Sequence, residues 1–236
     1  MQSGIDGFLF SHGTKGEPRK QTEIGEIPES WKTIRFGEAV TFTKKLRDLR
    51  YSEYNEIPFV PMELIPIAKP FSQEFILKRN DELKSGIYFE PGDILLPKIT
   101  PSFENGKQCI IKALPTPFGI ATTEVIPIRE MEGISDISYL FYYLLLPNVR
   151  ISLAGKMQGT TGRQRLSKDA LANLQIPLPP LSEQRAIAAV FQAIDKKTAA
   201  LEQEVEHLDE LFHAMLEELM TGQRSAVPLI DTELPS

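Results

Sequence analysis

The chain has little of what builds covalent frameworks, metal cages or membrane spans. It has one cysteine, Cys109, in 236 residues. That excludes an intramolecular disulfide and a zinc site made of several thiolates, and it suits a reducing compartment. A free cysteine is usually an inert apolar residue, so a partly buried strand position is expected here. The three histidines give no ligand pair: His12 is remote, and His207 and His213 are six apart rather than the three or four that share a helix face. No apolar run approaches the ~20 residues that span a bilayer. The start, Met1-Gln2-Ser3-Gly4-Ile5-Asp6, lacks the basic and hydrophobic regions of a signal peptide. A cytoplasmic protein with no membrane, metal or cofactor is expected.

Catalytic signatures are also missing. Leu178-Pro179-Pro180-Leu181 has the prolines of a base-methyltransferase strip but neither the amide or acid before them nor the aromatic after. Glu82-Leu83-Lys84 has no positioned upstream acid and reads as a solvated turn rather than half of a nuclease site. No phosphate-binding loop of P-loop type is present. A non-catalytic binding protein is expected.

What is present is a division of charge. The formal net charge is −6, from 32 acids and 26 bases. Eleven acids and four bases fall in 182–236, which leaves 21 acids against 22 bases in the first 181 residues. The stretch 147–168 holds Arg150, Lys156, Arg163, Arg165 and Lys168 with no acid, and 32–50 holds six bases against Glu38 and Asp48. Such local patches attract phosphates whatever the net charge.

Short apolar segments at 57–60, 87–89, 94–96, 108–112 and 122–128, punctuated by 18 prolines and 15 glycines, predict a curved mixed sheet. Two helices are expected inside it, at 137–146 and at 167–173 with Ser167 as N-cap. Ahead of the sheet, Ile5, Phe8, Leu9 and Phe10 form a cluster that should dock on the rest, followed by a polar loop. After Pro179-Pro180-Leu181, Ser182 can cap a helix that meets no Gly or Pro until Gly222. Along it Ile187, Phe191, Ile194, Thr198, Leu201, Val205, Leu208, Phe212, Met215 and Leu219 alternate in steps of four and three, nine of the ten apolar. That is a coiled-coil seam, on an arm of roughly 57 to 60 Å at ~1.5 Å per residue. Antiparallel pairing of two copies would set Leu201 against Val205 and Ile194 against Phe212. Val190, Leu211 and Leu216 widen the stripe, so a bundle of three or more helices is also open.

The class is therefore α+β, a β-rich globular head followed by a long C-terminal coiled-coil helix. The expected segments are a docking segment at 1–21, the head at 22–180, the helix at 181–221 and a tail at 222–236. Gln158, Thr160, Thr161, Arg163, Gln164 and Arg165, set between and beside Gly159 and Gly162, form the best candidate for contacting bases: arginine forks to guanine and glutamine pairs with adenine. Lys44, Lys45, Arg47, Lys98, Lys107 and Lys156 are candidates for phosphate contact, which positions but does not specify.

Three separated motifs resemble one family in order. Thr22-Glu23-Ile24-Gly25-Glu26-Ile27-Pro28-Glu29-Ser30-Trp31 with Phe36-Gly37-Glu38, then Phe89-Glu90-Pro91-Gly92-Asp93-Ile94-Leu95, then Pro179-Pro180-Leu181-Ser182-Glu183-Gln184 are similar to the specificity (S) subunits of type I restriction-modification enzymes. The resemblance implies a target recognition domain that reads one half of a bipartite double-stranded DNA target, and a helical spacer. It also implies modification (methyltransferase) and restriction subunits as partners. Family members usually carry two such domains. One of each implies a half-length form that self-associates as a homodimer through its helix. A second reading is a half-subunit that assembles with or inhibits a full specificity subunit without itself reading DNA.

Overall fold

The structure, a computed structural model, describes residues 2–160 and 162–222. Thr161, the side chain of Ile5 and the tail from 223 on lie outside the described residues.

Helix α1 (Gln2–His12) leads into a hairpin of β1 (Arg19–Thr22) and β2 (Gly25–Pro28). Then come β3 (Lys32–Arg35), the single turn α2 (Phe36–Ala39) and β4 (Val40–Phe42). Short strands follow: β5 (Glu56–Val60), β6 (Phe71–Ser72), β7 (Ile76–Arg79), β8 (Ile87–Phe89), β9 (Ile94–Pro97), β10 (Cys109–Ile111), β11 (Gly119–Ala121) and β12 (Val125–Glu130). The remainder is α3 (Ile137–Leu145), α4 (Pro147–Ala154), β13 (Gln158–Thr160), β14 (Arg163–Arg165), α5 (Lys168–Ala172), β15 (Gln175–Leu178) and α6 (Leu181–Met220).

Two sheets carry the head, one in the order β4-β12-β9-β10-β6 and one in the order β7-β5-β11-β8. Side chains alternate across the first. Ile94, Leu96, Ile110, Ile126 and Ile128 join a core with Trp31, Phe36, Tyr139 and Leu140. Leu95, Cys109, Ile111 and Val125 join another with Val60, Phe89 and Ala121 of the second sheet. Covered on both faces, these strands read as unbroken apolar runs rather than as alternation. Cys109 is fully buried, not partly, and burial pushes its thiol up to about 12.

The motif at 89–95 is a turn between strands. Pro91 and Gly92 (φ 92°) occupy the second and third positions that a type II turn requires, and Asp93 N–H donates to the Glu90 carbonyl at 3.1 Å. The buried Asp93 carboxylate accepts from Glu90 N–H at 2.9 Å and from Arg129 Nε at 2.8 Å.

Helix α3 forms where expected, capped by Asp136, whose carboxylate accepts from Ser138 N and Tyr139 N. Helix α4 went unforeseen: Pro147 sits at its start, where a missing N–H costs nothing. It turns Arg150 inward. Arg150 Nε donates to the Leu144 carbonyl at 2.7 Å, Nη1 to the Phe103 carbonyl at 2.6 Å, and Nη2 to Gln108 Oε1. Burial lowers its pKa to about 10. Arg150 thus belongs to the core and not to the basic surface run. No single helix among the described residues is long and apolar enough to cross a membrane; α3, bent 73° from α4, is mostly buried.

Helix α6 begins at Leu181, so Ser182 lies inside the first turn and is not its cap. The next two residues anchor the helix. Glu183 accepts from Thr14 N–H at 3.0 Å and Trp31 Nε1 at 3.2 Å, and pairs with Lys15 Nζ at 3.3 Å. Desolvation would raise its pKa, but these donors outweigh burial and hold the carboxyl below the usual glutamate range. A side chain at Gly13 (φ 67°) would put Cβ 2.6 Å from Glu183 Oε1, so only glycine fits. Gln184 Nε2 donates to the Ile134 and Pro179 carbonyls, and its Oε1 accepts from Asp136 N–H, each at 2.9 Å.

Residues through Phe191 form one compact unit and those from Gln192 a second. This corrects the seam. Ile187 and Phe191 are buried in the head, where Phe10 of α1 stacks on Phe191 with centroids 5.5 Å apart. They are not open to another subunit, and the stripe free for a partner starts at Ile194. In the second unit, taken by itself, Leu201, Val205, Leu208 and Phe212 are more than half exposed.

Candidate nucleic-acid interface

The polar loop at 158–165 is a β-hairpin. Strands β13 and β14 pair antiparallel with Gln158 opposite Arg165, Gly159 opposite Gln164 and Thr160 opposite Arg163. Directly opposed residues share a face. Gln158, Thr160, Arg163 and Arg165 therefore stand together on one face, and Gly159 and Gln164 occupy the other. A Cβ on Gly159 (φ 137°) would lie 2.5 Å from the Arg163 carbonyl oxygen, so glycine is what lets the strands close.

The hairpin is fastened to the sheet through its second strand. Thr100 N–H donates to the Gln164 carbonyl at 3.1 Å, Gln164 N–H donates to Thr100 Oγ1 at 3.1 Å, and Leu166 N–H donates to the Lys98 carbonyl at 2.7 Å. Lys98 continues β9, and its N–H donates to the Glu124 carbonyl at 2.9 Å. Glu124 in turn holds Arg165 with both oxygens: Arg165 Nε to Oε2 at 3.0 Å and Nη2 to Oε1 at 2.9 Å. That pairing, with Lys98 nearby, keeps the Glu124 carboxyl below its ordinary range.

Three lysines gather at the same end of the sheet, where β4 and β9 finish and β12 begins. Burial and the neighbouring Lys98 and Lys44 ammonium groups depress the pKa of Lys168. Like charges brought this close raise the local positive potential. Ser167, which accepts from Ala170 N–H at 3.0 Å as the expected N-cap, fixes the turn that presents Lys168.

The other candidates scatter. Lys45 lies over the Tyr51 ring at 3.8 Å, and Arg47 and Lys156 are exposed on separate loops. Lys107 is half-buried and donates to the Met62 carbonyl at 3.0 Å, which engages its ammonium. Gln164 is half-buried on the hairpin's other face. Lys168 and Glu124 were not foreseen as site residues. The acid-free run ending at Lys168 was a signal for the first; nothing in the sequence joins Glu124 to an arginine 41 residues away.

Comparison with known proteins places this geometry. The type I restriction modification DNA specificity domain matches residues 28–210. The chain belongs to this family. It carries one target recognition domain, and its α+β architecture with a long C-terminal helix is that of the family's solved structures. It is 34% identical over 198 residues to the type I restriction enzyme EcoAI specificity subunit of Escherichia coli, covering 80% of this chain and 34% of that protein. It is 32% identical over 180 residues to the Escherichia coli EcoEI specificity subunit, covering 76% and 30%. Among solved structures, the HsdS subunit from Thermoanaerobacter tengcongensis superposes with a TM-score of 0.54 at 20% identity, over 85% of this chain and 47% of that one. A chain from a structure of type I R-M complex assembly and conformational transition gives 0.56 at 19%, over 92% and 52%. The chain thus spans about a third of the length of those Escherichia coli relatives and about half of the solved chains.

Proposed function

We propose that this chain is a non-catalytic DNA-recognition subunit of a type I restriction-modification system, reading one half of a bipartite duplex target. The observation that carries the reading is the hairpin face of Gln158, Thr160, Arg163 and Arg165 beside Lys44, Lys98 and Lys168. Such a surface combines groups that pair with base edges and cations that position phosphates. The apolar stripe from Ile194 onward supports pairing with a second copy, which would supply the other half-site reader. Methylation and cleavage would belong to modification and restriction subunits docked on the helices, with Lys45, Arg47 and Lys156 as outlying phosphate contacts.

The test is a gel shift on random and genomic duplexes, with the modification subunits added. Arg163→Ala with Arg165→Ala should lower duplex affinity while the oligomer persists. No duplex binding by the wild type under any of these conditions would sink the proposal and leave an assembly role, for which the exposed seam is sufficient.

A further inference from the structure

Arg165 and Arg163 sit two residues apart on one hairpin face, yet their surroundings differ. Arg163 makes no ion pair among the described residues. Arg165 is held at three points: its backbone bridges Ile99, the Leu166 N–H that follows it bonds the Lys98 carbonyl, and its guanidinium is gripped by Glu124. Glu124 is itself anchored, since its carbonyl accepts from Lys98 N–H and only 24% of its side chain is exposed.

The edge of the guanidinium that Glu124 occupies decides what is left. A guanidinium has two bidentate edges, one formed by Nε and a terminal nitrogen and one formed by the two terminal nitrogens. Glu124 takes the Nε/Nη2 edge, leaving Nη1 and the second N–H of Nη2 as a parallel pair of donors. That pair fits two acceptors side by side, as guanine O6 and N7 present them in the major groove; adenine offers only one acceptor there, N7, beside a donor. Holding a long side chain in one rotamer before contact also lowers the ordering cost of binding.

Resting on the recognition reading above, we infer that Arg165 is the guanine-reading residue of this head and that Glu124 is its positioning residue, while Arg163 contacts phosphate. The ligand is a guanine base within duplex DNA. Glu124 faces the hairpin from β12's leading end and acts only through Arg165.

The test is selection of bound sequences from a randomised duplex library, using the full chain with its modification subunits. The wild type should enrich a half-site containing a guanine that Arg165→Ala no longer selects, with preference at that one position falling about 10- to 100-fold and other positions kept. Arg165→Lys, which retains the charge but not the fork, should lose the same position. Glu124→Gln should weaken that position alone, and should add nothing in the Arg165→Ala background. Arg163→Ala should lower affinity for every sequence alike. A wild type that enriches no sequence overturns the recognition reading itself. A wild-type half-site that survives Arg165→Ala, or that Glu124→Gln leaves intact or degrades evenly, overturns this inference alone.

Discussion

Glu183 ties three parts of the chain together at one carboxylate. Its partners, Thr14, Lys15 and Trp31, lie 169, 168 and 152 residues earlier in sequence, which is why a motif that ends Pro-Leu-Ser-Glu-Gln reads only as a helix start until the fold is seen. The folded-state pKa is lowered, so the charge stabilises the native state above the ordinary glutamate pKa and that contribution is lost as pH falls through the lowered value. Glu183→Gln keeps the shape and removes the charge. At pH 7 it should cost about 1 to 3 kcal/mol, the usual penalty for weakening charge-assisted bonds to a buried carboxylate. In thermal melts across a pH series the gap from wild type should close toward pH 3. A gap of constant size would show that shape, not charge, matters there.

At the scale of elements, α6 is one continuous helix with two different environments. Its first turns bury Glu183, Gln184, Ile187, Ala188 and Phe191 in the head, whereas Leu201, Val205 and Leu208 stand in solvent. The four-three periodicity is identical in both parts, because spacing records which side is apolar and not what covers it. For the free stretch the expectation is self-association. Leu208→Glu, which would place a carboxylate in the seam, should reduce the mass measured by sedimentation or light scattering to that of one chain, with head stability unchanged. A wild type already at single-chain mass at working concentrations would refute pairing. The hairpin, by contrast, was legible as a glycine-bounded polar loop, and only its strand register revealed which four side chains share a face.

For the whole molecule, a net charge of −6 conceals a basic end on the head, and binding should follow the local cluster. Each phosphate contact contributes roughly 0.9 to the slope of log affinity against log salt. Replacing Lys44, Lys98 and Lys168 by alanine together should therefore flatten that slope by about 2 to 3 without changing the preferred sequence. An unchanged slope would place the phosphates elsewhere.

Local and periodic features were settled by the chain alone: strands at the apolar runs, α3, α5 with its Ser167 cap, and the long final helix all follow from patterns within a few turns of backbone. Even there α1 and α4 escaped, the first because two glycines interrupt it and the second because its arginine looked like surface. Which cations share a surface was decided only by tertiary structure. Arg150 is buried in the core, Lys107 is engaged by the Met62 carbonyl, and Arg165 is paired with Glu124. Lys44 and Lys98 follow the ends of separate strands, and Lys168 opens a helix. Electrostatic contact depends on distance in space, and sequence separation carries almost none of that information once a sheet brings three segments to one end.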